Sequence, residues 1–119
     1  MTTARIYHNP RCSKSRAALA LLRGQGVEPQ VIEYLTDPPS ARVLDRLLKA
    51  MGLEPRAAMR RKEASYKALG LDDPTLTRTA LIAAMVKAPI LIERPIVAVG
   101  ERAVLARPPE RVLDLLRGA

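Results

Sequence analysis

The sequence predicts a mixed α/β domain in the order βαβ, helices, ββα, on three counts. Short β-type runs at Ala4 to Tyr7 and Val31 to Leu35 flank a helical stretch, the spacing a crossover between parallel strands requires. Helical periodicity then fills residues 40–88 or so without a strand signal. Last, Ile96 to Val99 and Ala103 to Ala106, split by Gly100-Glu101-Arg102, read as a β-hairpin followed by a closing helix. With 119 residues and 48% hydrophobic content, the chain suits one domain over residues 1–119, with a helical insertion at about 40–88.

Each element has a local cause. In the first helix Ser15, Ala18, Leu19 and Leu22 share a face at i, i+3, i+4, i+7 spacing, and Gly24 and Gly26 stop it. In "TDPPSARVLDRLLKAMG", Asp37-Pro38-Pro39 makes a turn and Ser40 is the expected N-cap. Val43, Leu44, Leu47, Leu48 and Met51 form the apolar stripe, which Gly52 ends. Basic, loosely patterned residues from Pro55 to Leu69 read as short helices. Thr77 then caps a helix striped by Leu81, Ile82, Met85 and Val86 and closed before Pro89. The final helix, Pro108 to Leu116, is expected to turn Val112, Leu113 and Leu116 inward.

This order of elements is the thioredoxin-like arrangement with a helical insertion, in which the first strand runs into a helix bearing a redox cysteine. Cys12 stands at that place in "ARIYHNPRCSKSRAALALLRGQG". A thiolate at a helix N-terminus meets unpaired backbone N–H groups and the positive end of the helix dipole, which favour the anion and lower its pKa. Arg11, Lys14 and Arg16 crowd the same turn and push the same way, and Ser15 is placed to offer its hydroxyl to the sulfur. A lone cysteine is more often a small buried hydrophobe. The polar, turn-forming company of Pro10, Arg11, Ser13 and Lys14 argues instead for an exposed, reactive thiol. His8, the single histidine, is a strand-end residue close enough to tune it.

Composition excludes several classes. One cysteine forms no internal disulfide, and the N-terminus shows no basic-then-apolar leader, so a reducing cytoplasmic location is expected. One Cys and one His are too few for a closed zinc site. Apolar runs are far shorter than the roughly 20 residues that span a bilayer, so no membrane segment is expected. Twenty Lys and Arg against twelve Asp and Glu, a net charge of +8, call for an anionic partner. Without Trp or Phe and with three Tyr, the chain lacks stacking platforms for single strands. A small oxyanion is expected rather than nucleic acid.

Four separated motifs, "IYHNPRCSKSR", "RAAMRRKEASYKALGL", "PILIERPIV" and "ARPPERVLDLL", together resemble the glutaredoxin-coupled arsenate reductases over nearly the whole chain. The resemblance implies that Cys12 is the arsenate-attacking cysteine and that Arg60, Arg94 and Arg107 bind the oxyanion. It implies that His8 and Ser15 favour the thiolate, and that Arg94-Pro95 is the cis-proline position of the fold. It further implies glutathione as co-substrate and glutaredoxin as partner, with no bound cofactor or metal. Arginine suits the task, because its permanently charged fork gives bidentate hydrogen bonds to tetrahedral oxyanions. An anionic nucleophile meets an anionic substrate only if cations neutralise the repulsion.

A CxxC oxidoreductase or dithiol switch needs cysteine at position 15, where this chain has Ser15. An external thiol is therefore expected to finish the reduction. Two alternatives of other classes remain at this stage. One is an adaptor or transcriptional-regulator relative that binds RNA polymerase or another protein through its basic surface; the other is a general glutathione-dependent thiol oxidoreductase.

Overall fold

Alternating apolar residues make β1 (Ala4–Tyr7) a strand buried at Ala4, Ile6 and Tyr7. The computed structural model describes residues 3–117. The chain divides into two compact units, one formed by the residues up to Asp37 together with those from Arg94 onward, the other by Pro38–Glu93.

In the first unit, α1 (Ser13–Gly24) connects β1 to β2 (Gln30–Ile32). The two strands pair in parallel with Ile6 opposite Val31. After β3 (Ile96–Val99) and β4 (Arg102–Leu105) comes α5 (Arg111–Arg117). Strand β3 runs antiparallel to both β1 and β4, which gives the sheet order β2-β1-β3-β4. Residues two apart share a sheet face, so Ala4 and Ile6 of β1 join Val97 and Val99 of β3. Against them pack Ala18 and Leu22 of α1, Ala106, and Val112 and Leu115 of α5. Each large aliphatic side chain buried there contributes roughly 1.5–3 kcal/mol. This mixed sheet flanked by helices is the thioredoxin-like arrangement that the element order predicts.

Three boundaries differ from expectation. Strand β2 stops at Ile32 rather than Leu35, because the Thr36 and Asp37 amides both bond to the Glu33 carbonyl and turn the chain. The hairpin turn holds two residues, with Val99 opposite Arg102 and Gly100 at φ +60°, a left-handed conformation that glycine adopts freely. Helix α5 begins at Arg111, past the two prolines, and buries Val112 and Leu115 fully while Leu113 and Leu116 pack at the margin.

The Pro38–Glu93 unit holds α2 (Ala41–Met51), a 3-10 turn at Pro55–Ala58, α3 (Ala64–Ala68), α4 (Arg78–Lys87) and a second 3-10 turn at Pro89–Leu91. Ser40 Oγ accepts from the Val43 amide at 3.2 Å, and Gly52 closes α2 in the left-handed conformation at φ +68°. Thr77 Oγ1 caps α4 through the Ala80 amide at 3.1 Å. Leu44, Leu47 and Leu48 of α2 and Leu81, Ile82 and Met85 of α4 are the buried stripes. Arg78 joins the two helices by donating to Asp45 Oδ1 at 2.8 Å. Among the described residues no helix is long and apolar enough to cross a membrane.

Candidate active site

The segment between β1 and α1 is a loop tied by backbone bonds. The Cys12 amide donates to the Asn9 carbonyl at 3.0 Å, and the Arg16 amide to the Cys12 carbonyl at 3.0 Å. Asn9 Oδ1 accepts from the Arg11 amide at 3.0 Å. Cys12 therefore becomes the N-cap of α1, in extended conformation and half-buried, beside the unpaired N–H groups of the first turn.

Burial alone would raise the Cys12 pKa. Hydrogen bonding from the Ser15 and Lys14 amides and from the Arg94 guanidinium, with that group's positive charge, outweighs it and holds the thiol below its ordinary 9.0. The cation acting on the sulfur thus arrives from the far end of the sequence. Of the local cations, Arg16 turns aside to donate to the Pro10 carbonyl at 2.8 Å, while Arg11 and Lys14 are exposed.

His8 and Ser15 are both buried, at 7% and 0% exposure. Their side chains meet, Nδ1 to Oγ, at 2.6 Å, and Ser15 Oγ also accepts from the Asn9 amide at 3.1 Å. The hydroxyl expected to serve the sulfur is thereby engaged by His8 and Asn9, and it is the Ser15 amide that favours the thiolate. Burial lowers the His8 pKa below 6.5, opposed by Glu33 and assisted by Arg23 and Arg16. The shift favours the neutral imidazole.

Arg94 precedes a cis Pro95, the isomer expected there. Its Nε is buried and makes no hydrogen bond among the described residues. Arg107 Nη1 donates to the Arg94 carbonyl at 3.0 Å. Cys12, His8, Ser15, Arg94 and Arg107 thus come together within one unit, Arg107 through the Arg94 backbone. Arg60 belongs to the Pro38–Glu93 unit, where its amide donates to the Leu91 carbonyl at 2.7 Å and its Nη1 pairs with Glu63 Oε1 at 2.6 Å. Among the described residues no group of three or more His, Cys, Asp and Glu is arranged to hold a metal ion.

Asn9 is the organising residue that sequence reasoning passes over. It holds Cys12, Arg11 and Ser15 with its carbonyl, side chain and amide in turn. The signal is the Asn9-Pro10 dipeptide, a turn former whose side chain bonds the backbone two residues on.

A family model described as the ArsC family matches residues 7–115. The solved structure titled arsenate reductase from Vibrio cholerae is 54% identical, superimposes with a TM-score of 0.91, and is aligned over 95% of this chain and 97% of its own. An Escherichia coli (strain K12) relative, named uncharacterized protein YfgD, is 52% identical over 94% of this chain and 95% of its own length. A Neisseria meningitidis (strain MC58) relative named arsenate reductase is 45% identical over 98% and 100%.

Proposed function

Because the chain belongs to the ArsC family, we propose that it is an arsenate reductase acting through the Cys12 thiolate, with glutathione and glutaredoxin completing the reduction. The observation that carries this reading is the place of Cys12 at the N-cap of α1, where the helix amides and the Arg94 guanidinium favour the anion. The buried Nε of the same arginine still lacks an acceptor among the described residues. A buried donor left over beside a nucleophile is suited to an oxygen of the substrate.

In the reaction, the Cys12 thiolate attacks arsenic(V), an S–As bond forms, and one arsenate oxygen leaves as water after taking up protons. Arg94 and Arg107 neutralise the oxyanion as the two anions approach. Arg60, assigned by its motif, adds a third guanidinium. The chain holds one cysteine, so the second thiol must come from outside. Glutathione thiolate attacks the Cys12 sulfur, the S–As electron pair passes to arsenic, and arsenite departs. Two thiols are oxidised to one mixed disulfide while arsenic(V) becomes arsenic(III). Glutaredoxin then takes over the glutathionyl group and returns Cys12 to its thiol. A single free thiol of this kind fits the reducing cytoplasm.

Purified protein with arsenate, glutathione, glutaredoxin, glutathione reductase and NADPH should show arsenate-dependent NADPH oxidation, abolished by Cys12→Ser. Arg60→Gln should cripple arsenate turnover and spare disulfide exchange, which separates this activity from general thiol oxidoreduction. Absence of arsenate-dependent oxidation, or a Cys12→Ser variant as active as the parent, contradicts the assignment. Capture of RNA polymerase by a protein inert to arsenate would replace it with an adaptor role.

A further inference from the structure

Of the consecutive cations Arg60, Arg61 and Lys62, the last two are exposed and Arg60 is half-buried against a carboxylate. Its pair with Glu63 at 2.6 Å leaves the two side chains 28% and 27% exposed. The backbone around it is fixed on both sides. The Arg60 amide bonds the Leu91 carbonyl, its carbonyl accepts from the Glu63 amide at 3.1 Å, and adjacent Met59 bridges to Ile92. Glu63 occupies the N-cap position of α3, yet its side chain caps none of the helix amides, where an N-cap oxygen ordinarily goes. It reaches back three residues to Arg60 instead. Arg61 shows the contrast, its Nε donating to the Arg56 carbonyl at 3.3 Å.

Resting on the reading of Arg60 as an oxyanion ligand, we infer that Glu63 is a positioning residue with two opposed effects: it fixes the Arg60 guanidinium and holds down its affinity for anions. A guanidinium carries five N–H donors in one plane. Glu63 ion-pairs with Arg60 at Nη1, which holds that end of the group in place, and leaves other donors for a tetrahedral oxyanion. Its own negative charge stays beside that oxyanion and repels it. The counterweight has a use, because sulfate and phosphate present the same oxygens as arsenate and would otherwise occupy the arginine without reacting. Ground-state binding beyond need adds nothing to turnover.

Glu63→Gln separates the two effects, since its amide oxygen has the reach to occupy the same place beside Nη1 while the charge is gone. The measurements are arsenate KM and kcat in the coupled assay, and the Kd of inorganic sulfate by calorimetry. The variant should lower both KM and Kd about three- to tenfold, with a gap that narrows as salt is raised. Its kcat should stay within about twofold of the parent, as expected for uniform binding. Unchanged or higher KM and Kd overturn the inference. Arg60→Gln, measured alongside, tells the two failures apart: if it leaves arsenate KM and kcat untouched, the assignment of Arg60 itself fails. If it raises KM while Glu63→Gln fails to lower it, the role of Glu63 alone fails. Circular dichroism checks folding; if the Gln variant does not fold, Glu63→Asn, uncharged but too short to hold Nη1, should still lower the Kd of sulfate while its kcat falls, and a sulfate Kd no lower than the parent's overturns the inference.

Discussion

His8 Nδ1 and Ser15 Oγ lie 2.6 Å apart in a buried contact that joins the end of β1 to the first turn of α1. They stand seven positions apart in sequence, and the loop they close carries Cys12. The pair therefore fixes where the helix begins, and with it the amides that face the sulfur.

Ser15→Ala should destabilise the protein by about 1–3 kcal/mol, because it strands the buried His8 nitrogen and the Asn9 amide that Ser15 Oγ now serves. Urea denaturation at an unchanged m-value measures this as a lower midpoint. A midpoint equal to that of the parent would show that the hydroxyl is dispensable.

Stability should also fall on the acid side of neutrality through His8. Burial holds its pKa below the ordinary 6.5, so the unfolded chain binds the proton more readily than the folded one. The His8 contribution is complete above pH 6.5 and is lost as pH falls through the depressed folded value. Denaturation midpoints across that range should slope downward in the parent and flatten in His8→Gln, which carries no charge at any pH. Identical slopes would rule His8 out as the titrating group.

The helix caps of the Pro38–Glu93 unit make a separate test. Ser40→Ala removes the bond to the Val43 amide and should cost about 0.5–2 kcal/mol. Gly52→Ala meets no atom within 4 Å but must adopt φ +68°, at a cost of about 1–2 kcal/mol. Thermal melts read both. Melting temperatures unmoved by either change would contradict the capping account.

Much of this was legible because the signals are local. Ser40, Gly52 and Thr77 act within one helical turn, and the stripes they bound are buried at Leu44, Leu47, Leu48, Leu81, Ile82 and Met85, with Val43, Met51 and Val86 half-buried at the margin. Cys12 was found the same way, from its place between a strand and a helix. The face of α5 was harder to read, since Leu113, Leu115 and Leu116 all offer apolar bulk and only packing against the sheet selects Leu115. The cations at Cys12 show the larger difference. Sequence proximity favoured Arg11, Lys14 and Arg16, whereas the sulfur is served by Arg94, brought in by the sheet as the residue two before β3. The Arg94 carbonyl bond to Arg107 likewise spans thirteen residues. Pairings that the sheet creates leave no periodic mark in the sequence, and only the motif resemblance singled those two arginines out.

The most direct test titrates the Cys12 thiolate by its alkylation rate against pH, in the parent protein and in Arg94→Ala. The parent should show an apparent pKa below the ordinary 9.0. Arg94→Ala should move it upward, each unit corresponding to about 1.4 kcal/mol of lost preference for the anion. A parent thiol that titrates at or above 9.0, or one indifferent to Arg94, would contradict the account of how this sulfur is kept ionised.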